Sequence, residues 1–144
     1  MTAKQYLQRY EYFERKYIAA IEEIKTLEQE MISLKSPNFD ERVQTSIVSD
    51  PICEMFCKLE SEKGKLVMKI TKYKGQMALI KNQIAELEDD CNNYYAILLF
   101  RYIFHKDWKF IGDNLRYSRT QLNRLHGMAL KEFDARFKEI YGDK

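Results

Sequence analysis

Glycine and proline are scarce in this chain, with five glycines and two prolines among 144 residues. Because these residues form tight turns and interrupt regular structure, their scarcity favours a few long helices over a fold with many turns. The three cysteines form no paired framework, which argues against a disulfide scaffold and indicates a reducing compartment. A hydrophobic fraction of 45% beside 32% charged residues predicts a folded chain.

Long apolar runs and catalytic signatures are also missing. No run approaches the roughly 20 residues that cross a bilayer, and the N-terminus has no signal-peptide pattern, so we expect no membrane partner and a cytoplasmic location. There is no glycine-rich phosphate loop and no nucleophile motif. Cys53 and Cys57 are four residues apart but lack the further ligands that a metal needs. The sequence therefore predicts no enzyme, no catalytic residue, no cofactor and no metal site.

Charge is distributed unevenly along the chain. Residues 92–144 contain ten Lys and Arg against six acids, a net charge of +4, which leaves −2 for residues 1–91. A basic C-terminal part on a mildly acidic body is expected if only that end binds phosphate groups.

Apolar residues in the N-terminal part recur in alternating steps of four and three. This is the a/d seam of a coiled coil over about four heptads. Thr2 and Gln5 form a capping box before it, and the helix, about residues 3–35, should end near Ser36 because the residue before Pro37 avoids the helical region. The seam residues are Tyr6, Tyr10, Phe13, Tyr17, Ala20, Ile24, Leu27, Met31 and Leu34.

A second seam with the same spacing follows residues 36–50, a segment rich in Ser, Thr and Asp that we interpret as a loop. Asp50 as N-cap and Pro51 at the first helical position predict a helix over about residues 51–90. Its seam residues are Ile52, Phe56, Leu59, Lys63, Leu66, Ile70, Tyr73, Met77, Ile80, Ile84 and Leu87. Two seams joined by a loop predict a long antiparallel coiled-coil helical hairpin over residues 1–91.

A two-helix hairpin buries little apolar surface. The seams could pack only within one chain, or they could also mediate self-association. We favour homo-oligomers formed through the coiled coil, because a core this thin commonly needs a partner.

Residues 92–144 carry the pattern of a helix-turn-helix. Asp89–Asn93 interrupts the second seam, and residues 94–104 are apolar almost all round, as in a helix buried on several sides. Asp107 then caps a short helix with an inner face of Trp108, Ile111 and Leu115. Gly112, beside that face, would let two helices cross closely.

The second helix of the motif has a clear start and a clear buried face. Ser118 and Gln121 form a capping box, with Tyr117 and Leu122 at the two hydrophobic-staple positions. One apolar stripe contains Leu122, Leu125, Ala129 and Phe133, and the opposite face contains Thr120, Arg124, Gly127 and Lys131 with Gln121 and Asn123 beside it. The spacing predicts that this helix enters the major groove of DNA.

No acid occurs from Arg116 to Lys131. The alternative, an ordinary solvated helix face, is weaker because the cap and the preceding helix complete the motif. We expect Arg119, Gln121, Asn123 and Arg124 to read bases. Lys109, Arg116, Tyr117 and Lys131 are better placed to contact phosphates. The full set of residues predicted to bind DNA is Lys109, Arg116, Tyr117, Ser118, Arg119, Thr120, Gln121, Asn123, Arg124 and Lys131. His126 should be packed or face a phosphate, not bind a metal.

Three segments together resemble region 4 of sigma factors. They are Tyr94-Tyr-Ala-Ile-Leu-Leu-Phe-Arg-Tyr102, Trp108-Lys-Phe-Ile-Gly112 and the run from Tyr117-Ser-Arg-Thr-Gln to Leu130. The chain is more closely similar to the RinA/ArpU-like phage transcriptional regulators of Gram-positive bacteria, a group that the segment Glu41–Ser46 between two long helices also fits. Arg116 departs from the pattern, because such turns usually carry glycine, and a left-handed backbone there would cost about 1–2 kcal/mol.

The resemblance implies an all-α fold, with the helical hairpin followed by a sigma region 4-like helix-turn-helix domain over residues 92–144. It implies a sequence-specific DNA-binding transcriptional regulator, an activator of phage late or packaging genes in a bacterial host, with double-stranded DNA and RNA polymerase as partners. Two alternatives stay open. One is a small terminase-like DNA-packaging subunit, and the other is a coiled-coil protein-interaction adaptor with a sigma-like fold.

Overall fold

The chain is mostly helical in the residues that its structure, a computed structural model, describes. These are residues 1–34, 46–88 and 93–142, and for residues 46–50 only the backbone is described. These residues contain no strand, which confirms the all-α prediction. None of their helices combines the length and apolar character needed to cross a membrane. The helices are α1 (Ala3–Leu34), α2 (Ser46–Ala85), α3 (Tyr94–Leu98), continued by a π-helical turn (Leu99–Ile103), α4 (Trp108–Leu115) and α5 (Arg119–Tyr141).

The first helix begins where the capping box predicts. The Gln5 backbone N–H donates to Thr2 Oγ1 at 3.3 Å, and the Thr2 backbone N–H donates to Gln5 Oε1 at 2.9 Å. Both bonds satisfy N–H groups that a helix start leaves without partners. The predicted helix end near Ser36 lies outside the described residues.

The predicted start of the second helix was wrong. α2 begins at Ser46, so Asp50 is not its N-cap and Pro51 lies inside the helix. Proline lacks an N–H, so at position 51 the helix forgoes one bond to the carbonyl four residues earlier, and a single loss near the end of a 40-residue helix does not stop it. Residues 46–50 of the predicted loop are therefore helical, and residues 36–45 lie outside the described residues.

The second helix also ends earlier than predicted, at Ala85 instead of about residue 90. The backbone tightens there, because the N–H groups of Leu87 and Glu88 donate three residues back, to Ile84 at 3.0 Å and Ala85 at 3.1 Å. Such bonds commonly close a helix end. Of the predicted break at 89–93, only Asn93 is described, and its φ of 59° places it in the left-handed region.

Packing divides the chain into two compact units. The terminal unit comprises Met1–Glu14 and Gly75–Lys144, and the middle unit comprises Arg15–Lys74. Each long helix therefore contributes to both units, whereas the sequence placed a boundary between residues 91 and 92. The start of α1 and the end of α2 belong to the same unit as α3, α4 and α5.

The core of the terminal unit is rich in aromatic rings. Phe133 is fully buried, with ring centroids 4.8 Å from Phe137, 6.0 Å from Tyr6 and 6.1 Å from Tyr141. Tyr6 stacks on Tyr141 at 4.6 Å, and its hydroxyl donates to Oε1 of the buried Gln83 at 2.8 Å. This cluster holds the start of α1 against α5 and the end of α2.

In the middle unit, the predicted seams are the least exposed positions of both helix segments. Ala20, Met31, Leu59 and Leu66 are buried, and the other described seam positions there are half-buried. Lys63, the polar residue in the second seam, places its Nζ 3.0 Å from Glu28 Oε1. Because both side chains are substantially exposed, this ion pair contributes little stability.

Candidate nucleic-acid interface

The first helix of the predicted motif is capped and packed as its sequence indicates. The Asp107 side chain accepts a hydrogen bond from the Phe110 backbone N–H at 2.7 Å. Ile111 is fully buried in a cluster with Ile97 and Leu122, against which the predicted inner-face residues Trp108 and Leu115 pack together with other apolar neighbours. The face of α4 that was predicted to be buried is therefore confirmed.

The turn between α4 and α5 requires both a close approach and a left-handed residue. A Cβ at Gly112 would lie 3.0 Å from the Tyr117 carbonyl oxygen, and the Tyr117 N–H donates to the Gly112 carbonyl at 3.0 Å. Arg116 has φ 61° and ψ 44°, the left-handed conformation in which a side chain is strained. Arg116, which the sequence places where such turns usually carry glycine, thus has the left-handed backbone that glycine adopts most easily.

We expect Arg116→Gly to raise the free energy of unfolding by about 0.5–1 kcal/mol, because the left-handed strain is relieved while glycine costs some chain entropy. Arg116→Ala is the matched control, since it removes the same charge but keeps the Cβ. Urea denaturation of both variants measures the difference. Equal stability of the two would show that the turn is not strained at this residue.

The start of α5 forms the complete capping box. Ser118 Oγ accepts from the Gln121 N–H at 3.2 Å, and Gln121 Oε1 accepts from the Ser118 N–H at 3.1 Å and from its hydroxyl at 3.3 Å. Tyr117 packs on the cluster that contains Leu122, and its hydroxyl accepts a hydrogen bond from Asn93 Nδ2 at 2.8 Å. The first turn of α5 is therefore held by its own side chains.

The residues predicted to bind DNA lie on two neighbouring surfaces. Thr120, Asn123, Arg124 and Lys131 are exposed along one face of α5, opposite the fully buried Leu122, Ala129 and Phe133. Lys109, Tyr117 and Arg119 line a cavity of about 280 Å³ next to Trp108 and Asp113. Arg116, Ser118 and Gln121 are exposed in and after the turn, and only Tyr117 of the predicted set is half-buried.

Trp108 is the centre of a cationic cluster that the sequence did not reveal. The guanidinium carbon of Arg101 lies 4.7 Å from its ring centroid, and that of Arg119 lies 5.3 Å away. Cations at this distance are attracted by the negative face of the indole. A basic residue within the apolar run 94–104 was the only sequence signal for Arg101, and nothing in the sequence pointed to the Asn93–Tyr117 hydrogen bond.

His126 is packed between aromatic side chains. Its Nε2 lies 2.8 Å from the Tyr102 hydroxyl, and its ring centroid lies 4.7 Å from that of Trp108. Burial, and then the charges of Lys4 and Arg101, lower the pKa of His126 from 6.5 to about 4. The imidazole is therefore neutral at pH 7, and it packs against Tyr102 and Trp108 without adding charge there.

The lowered pKa of His126 predicts a loss of stability in mild acid. Between pH 6.5 and 4 the unfolded chain binds a proton at this residue and the folded chain does not, so stability falls as the pH falls through that window. From pH 7 to 5 we expect a loss of roughly 1 kcal/mol, after allowance for solvent around a half-buried ring. Urea titrations of wild type and His126→Gln at both pH values measure it. The same loss in both proteins would contradict this assignment.

Groups of three or more His, Cys, Asp or Glu side chains that could hold a metal do not occur among the described residues. Cys53 and Cys57 are exposed and free. Comparison of the chain with protein-family models, with curated proteins and with solved structures found no match.

Proposed function

We propose that this chain is a sequence-specific DNA-binding transcriptional regulator of phage genes, which reads the major groove with α5 in the manner of sigma factor region 4. The observation that carries the proposal is the exposed outer face of α5 from Arg119 to Lys131, a stretch without acids that follows a capped turn and a short supporting helix. Arginine, asparagine and threonine on such a face can bond base edges. The positive end of the helix dipole at Ser118 favours phosphate nearby.

The packing beneath this face supports the proposal. Ile111 and Leu122 are fully buried between α4 and α5, so the outer face of α5 is presented by a fixed scaffold. A reading helix needs such support, because base contacts depend on placement to within a fraction of an ångström.

Footprinting on DNA from the surrounding gene cluster, repeated at two salt concentrations, tests the function. We expect a protected site of defined sequence and an affinity that falls steeply with salt, because phosphate contacts release counterions. Protection without sequence preference would contradict a specific regulator. Weak binding that does not depend on salt would favour the protein-interaction adaptor instead.

Self-association through the middle unit is the second part of the proposal. Seam residues such as Tyr17, Ile24 and Leu27 are only half-buried there, and Ile18 and Ile32 expose 54% and 69% of their surface. A second copy would cover these side chains, and a dimer would match two half-sites on DNA. Light scattering distinguishes the outcomes: a dimer fits the regulator, a ring of many subunits fits a DNA-packaging subunit, and a monomer contradicts self-association.

Activation of late or packaging genes in the bacterial host, through contact with RNA polymerase, completes the proposal. In vitro transcription from the footprinted promoter tests it. More transcript with the protein is expected, and less transcript would make the protein a repressor.

A further inference from the structure

The four residues that the sequence assigns to base reading are held differently in the structure. Gln121 Oε1 accepts hydrogen bonds from both the N–H and the hydroxyl of Ser118. A carbonyl oxygen has two lone pairs, so this oxygen has no free position to accept from the amino group of adenine, as a bidentate contact requires. Gln121 therefore holds the start of α5 and is not available for a bidentate contact with adenine.

Arg119 is also engaged, on the side of α5 that faces α4. Its guanidinium carbon lies 5.3 Å from the Trp108 ring centroid, and it lines the cavity together with Lys109 and Tyr117. In helix-turn-helix proteins the first helix of the motif crosses the DNA backbone, while the second enters the groove. A guanidinium held beside the first helix is therefore placed for a phosphate, not for a base.

In contrast to Gln121 and Arg119, the other outer-face residues Thr120, Asn123 and Arg124 have side chains that are not engaged within the protein. All three are exposed, and within the described part of the chain none of their side chains makes a hydrogen bond or an ion pair. Steps of three and four place them on one face of α5. Their polar groups are free to meet base edges.

We propose that the two surfaces divide the work of binding: Thr120, Asn123 and Arg124 read bases, while Arg119, Lys109 and the Tyr117 hydroxyl bind one backbone phosphate in the cavity beside Trp108. This inference rests on the proposed function and refines it. The Tyr117 hydroxyl accepts from Asn93 and so keeps its own O–H to donate to a phosphate oxygen. Asp113 lines the same cavity and reduces its positive charge.

The test compares Arg119→Ala with Asn123→Ala on two duplexes, the footprinted site and a scrambled version, over a series of salt concentrations. For Arg119→Ala we expect about tenfold weaker binding to both duplexes and a log–log salt slope that is shallower by about 0.9, the value for one lost phosphate contact. For Asn123→Ala we expect weaker binding to the footprinted site alone. Asp113→Asn should tighten binding to both duplexes by a few-fold and steepen the slope.

Trp108 is the only tryptophan in the chain, so its fluorescence reports on the cavity directly. Addition of either duplex should change its emission in wild type, and the change should shrink in Arg119→Ala. Arg119→Lys keeps the positive charge and should retain most of the salt slope, which separates a lost phosphate contact from a disturbed fold.

Loss of affinity for the footprinted site alone in Arg119→Ala would show that Arg119 reads a base and would overturn the division, as would unchanged affinity for both duplexes. In either case the proposed function would stand, because wild type would still bind its site. Failure of wild type to bind any duplex would overturn both.

Discussion

Arg124→Ala is expected to weaken binding to the specific duplex by about 1–3 kcal/mol, which is roughly 5- to 150-fold in Kd. Arg124 is exposed on the outer face of α5, and its side chain makes no hydrogen bond or ion pair with the described residues. Removing it should therefore leave the stability of the free protein within about 0.5 kcal/mol. The whole effect should appear in the complex, as relaxed preference at one base pair.

Two variants separate base reading from charge. Lys138→Ala removes the same charge from an exposed position on α5, roughly 21 Å further along the helix, and should change the affinity little. Arg124→Lys keeps the charge but loses the planar fork that pairs with guanine, so it should bind almost as weakly as Arg124→Ala at the specific site. Titrations by fluorescence anisotropy measure all three. Wild-type affinity in Arg124→Ala would remove this residue from the interface.

Phe133→Ala should lower the free energy of unfolding by about 3–5 kcal/mol, the largest effect on stability that we expect. The ring is fully buried and lies within 6.1 Å, centroid to centroid, of Tyr6, Phe137 and Tyr141. Its removal would leave a cavity where α1 meets α5, because the surrounding rings cannot close it without breaking their stacking. A domain of ordinary stability would lose a large part of its free energy of unfolding.

Urea denaturation measures this loss, and Met128→Ala on the same helix is the control. Met128 is 42% exposed, so its truncation should cost far less. Phe133→Leu should lie between the two, because it fills most of the space. A loss below 1 kcal/mol for Phe133→Ala would mean that the start of α1 does not depend on this cluster.

The features that depend on neighbouring residues were predicted best from the sequence. The capping boxes at Thr2 and Ser118 and the cap at Asp107 each depend on a few neighbouring residues, and each occurs as expected. The seam periodicity likewise identified which face of each long helix is turned from solvent. For the caps the interacting groups lie within about one helical turn, so the sequence contains the geometry.

Contacts between distant segments could not be predicted in the same way. Periodicity identifies a buried face but not what covers it, so the stacking of Tyr6 on Tyr141 was not foreseen. The contact of Arg119 with Trp108 was missed for the same reason, and with it the place of Arg119 beside Lys109 in the lining of one cavity. Pro51 misled because a long helix tolerates one missing bond near its start.

The π-helical turn at Leu99–Ile103 determines how well this segment can accept an inserted or deleted residue. The Phe104 N–H donates to the Leu99 carbonyl, five residues back, at 3.1 Å, so this turn holds one residue more than a regular α-helical turn. Each residue advances a helix by about 100°, and removal of a single residue here would rotate everything before the turn relative to everything after it. The segment should therefore accept apolar exchanges far more readily than any insertion or deletion, since Tyr102 would otherwise swing away from His126.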